Sequence, residues 1–215
     1  MPDQLAIIKQ LDDLIEQISA PNEFFREFGN ILDNYISYDY LSVVLVNEQP
    51  FPNGIKKIAT SVFIDSTKEF EKKWIGTSRP IDDTLTSRVI KSKQTAIFTG
   101  EDLVRLHTQQ ADKPVRALMI APLFNGDIIG TLHLATAQEG IYGDREIVLV
   151  DTACKIVGPV IGEIQFISQL NYVEGCITKR MNLMQDRELQ GRQAILDKLE
   201  EFMVSVNALK ESMLR

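Results

Sequence analysis

Apolar residues recur at helical spacing from the first turns of the chain. Ile8, Leu11, Ile15 and Ile18 fall at threes and fours within Leu5–Ile18, with Asp12, Asp13 and Glu16 among the polar positions, which predicts an amphipathic helix. Ala20-Pro21 ends it, since proline cannot continue the hydrogen-bond ladder. A second helix is expected from about Glu23 to Tyr35, with Phe25, Phe28, Ile31 and Leu32 on one side. Strands over Leu41–Val46 and Ile58–Ile64 follow, and the turn between them is expected over Asn47–Gly54, which holds two prolines and a glycine. The run Thr67–Trp74 fits either a short helix or a polar-faced strand. Asp82 or Asp83 can cap a helix over Thr84–Ser92, because a short side-chain oxygen satisfies a free backbone N–H there. Thr95–Thr99 reads as a brief strand and Glu101–His107 as one or two helical turns. Ala117–Leu123 and Ile128–Ala135 are expected to pair as a hairpin around Asn125-Gly-Asp.

Beyond Asp144 the pattern becomes continuously helical. Ile156, Val160, Ile164 and Ile167 lead to Leu170, Val173, Ile177, Met181 and Met184. A polar stretch with Gly191 intervenes, and a seam then resumes at Ile195, Leu199, Phe202, Val206, Leu209 and Met213. Its steps alternate four and three, the repeat of a coiled coil. The step from Met184 to Ile195 is a heptad plus four residues, a stutter that unwinds a coiled coil locally without ending it. Two outcomes follow: a parallel dimeric coiled coil through residues 167–213, or a helix hairpin turning at Gly191. The boundary is placed at 165, with a globular α/β part before it (1–165) and a helical extension after it (166–215).

Composition narrows the function classes. The net charge of −7 argues against a general nucleic-acid binder, because phosphate contacts need a positive footprint. Two cysteines, Cys154 and Cys176, give no disulfide framework and no metal spacing. No basic, apolar leader opens the chain and no stretch approaches the ~20 apolar residues of a membrane span, so a cytoplasmic protein without membrane insertion is expected. The charged run Lys68–Lys73 reads as a solvated face. A phosphate-binding Gly-rich loop and a Gly-x-Ser-x-Gly elbow are both lacking, and two histidines offer no metal triad. The expectation is therefore not an enzyme.

Three segments carry a family resemblance: Pro80-Ile-Asp-Asp-Thr-Leu-Thr-Ser-Arg-Val, Val115-Arg-Ala-Leu-Met-Ile-Ala-Pro-Leu and Asp127-Ile-Ile-Gly-Thr-Leu-His-Leu. With Tyr142-Gly-Asp-Arg-Glu-Ile-Val-Leu-Val, they resemble a GAF domain, the small-molecule sensing module of signalling proteins, over roughly Leu5–Gln165. The resemblance implies an α+β fold: a central antiparallel sheet, the first two helices and the last on one face, and the connections from about Thr67 to Val115 enclosing a pocket on the other. It places Trp74, Phe98, His107, Met119, Ala121, Leu134 and Thr136 in that pocket. By strand alternation Leu132 joins them, while Thr131, His133 and Ala135 take the helix-packed face.

The same resemblance limits the ligand. His107 stands eight residues before Val115, similar to a pocket histidine of phytochrome-type GAF domains, where a neutral imidazole can ligate haem iron. Leu106 occupies the position of the bilin-attaching cysteine, so covalent bilin attachment there is excluded. The Asn-Lys part of the cyclic-nucleotide pattern is absent. Free methionine sulfoxide reductases of the family use several pocket cysteines, and this chain has none before residue 154. The cofactor stays unknown. The expectation is a small-molecule sensor that dimerises through its C-terminal helices and passes its state to an output; a ligand-free dimerisation or interaction scaffold is the alternative.

Overall fold

The computed structural model describes residues 2–17, 20–51, 54–66, 73–104, 115–185 and 193–213. Helices α1 (Pro2–Gln17) and α2 (Pro21–Asp33) lead into the hairpin β1 (Tyr40–Phe51) and β2 (Gly54–Ser66). The edge strand β3 (Ser78–Pro80), helix α3 (Leu85–Ser92), strand β4 (Ala96–Thr99) and the single turn α4 (Glu101–Val104) come next. The hairpin β5 (Ala117–Asn125) and β6 (Asp127–Thr136) closes the sheet, and helices α5 (Asp144–Gln185) and α6 (Gln193–Met213) end the chain. The six strands are ordered β3-β2-β1-β6-β5-β4, and every neighbouring pair is antiparallel.

The β1–β2 hairpin departs from the sequence reading. Asn47 pairs with Ile58 and Pro50 with Ile55, so most of the expected turn is strand. Strand β1 pairs with β6 only between Tyr40 and Leu45 and β2 with β3 only between Ile58 and Thr60, so from Glu48 and Lys57 onward the described strands of the hairpin pair with each other alone. Proline is tolerated there because no N–H is needed on the unpaired side. Residues 67–72 lie outside the described residues, and so does the ambiguous part of Thr67–Trp74.

One face of the sheet is dry and aromatic. Phe24 and Phe28 of α2 stack with ring centroids 6.2 Å apart, and Phe25 stacks on Phe63 of β2 at 5.5 Å. Ile7 and Leu11 of α1 are fully buried, as are Phe24, Phe28 and Leu32 of α2. Burial of one such side chain contributes about 1.5–3 kcal/mol. The first part of α5 joins this layer, with Leu149, Val150, Ala153, Cys154 and Val157 buried. Polar ties hold it to α1: Gln4 Nε2 donates to Thr152 Oγ1 at 3.0 Å, and the Arg145 guanidinium pairs with Asp3 at 2.9 Å.

Two glycines let backbone meet backbone. A Cβ at Gly158 of α5 would stand 2.2 Å from the carbonyl oxygen of Phe124, where the β5–β6 register shifts. A Cβ at Gly130 would stand 2.3 Å from the carbonyl oxygen of Val44. Directly after Gly158, Pro159 interrupts the helical ladder, since its missing N–H leaves the carbonyl four residues back unpaired within the helix.

Residues through Val160 form one compact unit and Ile161–Arg215 a second. The second unit is a helix hairpin. Lys210 Nζ of α6 meets Glu174 Oε2 of α5 at 2.9 Å, which requires α6 to run back alongside α5. Among its described residues Ile161, Ile177 and Val206 are the buried apolar ones. The seam foreseen as a straight parallel rod therefore does not continue through residue 213 of one chain. Gly191, the expected site of a hairpin turn, lies outside the described residues.

Candidate functional site

Strand register decides what each face of the sheet presents. Leu118 pairs with Ala135 and Ile120 with His133, so these four side chains point the same way. Leu118, Ile120 and Ala135 belong to a buried apolar cluster with Leu85 and Val89 of α3, Phe98 of β4 and Leu103 of α4. This is the α3 side. Strand β1 adds Tyr40, opposite Ala135, and Ser42, opposite His133.

The remaining positions take the other face. Met119 pairs with Leu134, Ala121 with Leu132 and Ala117 with Thr136. Leu132 also pairs with Val43, which pairs with Phe63, the residue that stacks on Phe25 of α2. Met119, Ala121, Leu132, Leu134 and Thr136 thus lie on the face of α1 and α2, and His133 lies on the α3 side, the reverse of the sequence assignment. The physical reason is visible in the residues themselves. The driest set, Met119, Ala121, Leu123, Leu132 and Leu134, is the one that a layer of three helices can seal, and all five are at most 1% exposed. Thr136 has a structural duty there: its Oγ1 donates to Asp39 Oδ2 at 3.1 Å, and Ala137 N donates to the same oxygen at 2.8 Å.

Phe98 takes the α3 side, buried in the cluster. Trp74 is not among its members; it sits in the turn before β3 with the Arg79 guanidinium carbon 4.0 Å from its ring centroid, a cation–π contact. His107 lies outside the described residues.

A polar patch interrupts the otherwise apolar floor. His133 Nε2 and Thr131 Oγ1 are 2.9 Å apart, and Ser42 stands opposite His133 on β1. Thr131 and Ser42 are buried, whereas His133 is half-buried. Burial pushes the imidazole down to about 4, so the ring is neutral at neutral pH. The sequence signal for this patch was the alternation of Thr131 and His133 with Leu132 and Leu134; only the choice of face was inverted.

The cover is built from local rules. Thr84, rather than Asp82 or Asp83, caps α3: its Oγ1 accepts from Ser87 N at 3.2 Å and donates to Ile81 O at 2.7 Å. Asp83 takes a positive φ of 58° just before the cap. Lys93, also at φ 58°, ends the helix by donating its N–H to Val89 O at 2.8 Å. Arg88 of α3 pairs with Asp102 of α4 at 2.9 Å. Beyond the cover, Thr95 Oγ1 donates to Asp151 Oδ1, a bond from the α3–β4 connection to helix α5.

Cysteine chemistry is remote from this patch in sequence and element. Cys154 and Cys176 are both on α5; Cys154 is buried, and burial, with Asp151 nearby, pushes its thiol far up. Among the described residues no three metal-ligating side chains gather, and no helix is long and apolar enough to cross a membrane.

Solved structures with this arrangement are GAF domains and their relatives. The GAF domain of an Acinetobacter phosphoenolpyruvate-protein phosphotransferase is 13% identical, with a TM-score of 0.62 over 75% of this chain and 94% of its own. The phycocyanobilin-bound GAF domain of a cyanobacterial phytochrome is 14% identical, with a TM-score of 0.57 over 74% and 93%. Free methionine-R-sulfoxide reductase from Neisseria meningitidis, solved with its substrate, is 12% identical, with a TM-score of 0.55 over 72% and 86%. The chain has the GAF fold: a six-stranded antiparallel sheet flanked by helices, followed by a long C-terminal helix. No protein-family model matches the sequence, and no curated protein matches it.

Proposed function

We propose that the chain is the small-molecule-sensing module of a cytoplasmic signal-transduction protein. One observation carries this reading: a polar patch, the Thr131–His133 hydrogen bond with Ser42 opposite His133, on the sheet face that also carries the apolar cluster of α3. A floor with no partner to recognise gains nothing from polar groups, which cost free energy when buried without full satisfaction. Phe98 belongs to this lining, and the family resemblance assigns Trp74 and His107 to the pocket. The output route in this reading is the bond from Thr95 to Asp151 on α5, which joins the cover to the long helix. The phytochrome GAF domain is phycocyanobilin-bound by its own description, and this chain is read as binding a small molecule in the same sense.

The reading assigns binding and no reaction. Its support is the placement of both cysteines on α5, which leaves the polar patch without a thiol nucleophile of the kind the reductases use. The test is native mass spectrometry with an absorption spectrum of the purified protein. A retained small molecule, or a thermal midpoint raised by a metabolite library, is expected; a colourless, empty protein that no library member stabilises overturns it.

A second reading, a ligand-free dimerisation scaffold, is favoured by a different observation. Ile195, Phe202 and Leu209 recur every seven residues along α6 and are each about half exposed in the single chain. In both readings two chains pair through these residues. A Phe202→Glu variant is expected to sediment as a monomer with unchanged helix content, and an unaltered species would remove the dimer from either reading.

A further inference from the structure

The polar patch has a chemical bias that narrows its ligand. On β1, β5 and β6 no described side chain of this face is a cation. Arg79 of β3 shares the face, but it lies two strands from β1 and rests on Trp74, 4.0 Å from its ring centroid. Arg88 of α3 is paired with Asp102 at 2.9 Å and is half exposed. His133 gives one ring nitrogen to Thr131, and Nδ1 has no partner among the described residues. The ring is half-buried, whereas its cross-strand neighbours Ser42 and Ile120 and its own-strand neighbours Leu132 and Leu134 are buried.

We propose, resting on the sensing reading above, that Nδ1 of His133 is the recognition pole for an uncharged ligand that carries a hydrogen-bond donor and acceptor side by side, such as a primary amide or lactam ring. A neutral imidazole offers one nitrogen as donor and the other as acceptor, and the Thr131 hydroxyl can take either role. A ligand with both functions meets whichever nitrogen role is left. The apolar cluster supplies contact for the rest of a flat ring. A carboxylate or phosphate would leave water for a site without a counter-charge, which is costly.

Two histidines in the whole chain make the experiment direct. Protein labelled with 15N-histidine is titrated with benzamide, nicotinamide and 2-pyridone, and in parallel with benzoate and nicotinate. The His133 signals are assigned by their loss in a His133→Leu variant. Expected is a shift of the His133 Nδ1 resonance by at least one uncharged ring, with a thermal midpoint raised by about 3 °C at tenfold excess over the Kd. Thr131→Val is expected to weaken that binding about fivefold, the loss of one neutral hydrogen bond that orients the ring. It also serves as the test variant if His133→Leu does not fold. Preferential binding of the carboxylates overturns the ligand class and leaves the sensing reading standing. No shift and no stabilisation by either set overturns this proposal. Failure of the metabolite library as well would take the sensing reading with it.

Discussion

His133 ties stability to pH with a sign that can be worked out in advance. The folded protein holds the imidazole neutral, with its value lowered from 6.5 to about 4 by burial. The unfolded chain takes up a proton as pH falls below about 6.5, while the folded one does not. Stability is therefore fully present above pH 6.5 and falls as pH drops towards 4, by on the order of 2–3 kcal/mol. Urea midpoints measured at pH 7 and 4.5 are expected to show that decline, and His133→Leu to flatten it. Loss of the α3 cap in Thr84→Ala is expected to cost about 1 kcal/mol, read by the same denaturation. The elements around both residues were legible in the sequence. The face of His133 was not, because alternation gives two equivalent assignments and only the partners of each face break the tie. Likewise the cap was expected at Asp82 or Asp83, with Thr84 opening the helix. The backbone chose Thr84 by putting Asp83 in the left-handed region.

The β5–β6 hairpin and the helices announced themselves through period and turn chemistry, and their bounds shift by only a few residues. The β1–β2 ribbon did not, because Pro50 is harmless only on an edge that the sequence does not reveal. Close approach between elements was equally hidden: nothing in the helical pattern of α5 says that Gly158 lies on the backbone of Phe124. Gly158→Ala is expected to destabilise the protein by about 1–3 kcal/mol through forced separation of α5 from β5, seen as a lower urea midpoint. Thr95→Val tests a different joint. Removing the hydroxyl leaves Asp151 without its partner from the α3–β4 connection. A cost of about 1–2 kcal/mol is expected, with faster amide exchange in α3 and β4.

For the chain as a whole, the resemblance correctly announced the fold, and the seam correctly announced apolar helices. What the seam could not fix was direction. A repeat of apolar residues fits a partner chain or the chain's own return equally well, and the Lys210–Glu174 pair shows the return. That pair is itself worth little: both groups are a quarter exposed, and Lys210→Ala is expected to change stability by under about 1 kcal/mol. The row Ile195, Phe202 and Leu209 is left half exposed by the return, and it is there that sedimentation of Phe202→Glu decides the oligomer.

Pro159 gives α5 a weak rung immediately beyond its firmest anchorage. Up to Gly158 the helix is seated on the sheet; one residue later a ladder bond is missing. Heat or denaturant should therefore melt this molecule in two stages rather than one, with the break at this rung. Calorimetry of the intact chain would show two overlapping peaks, and restoring the bond with Pro159→Ala would draw them together.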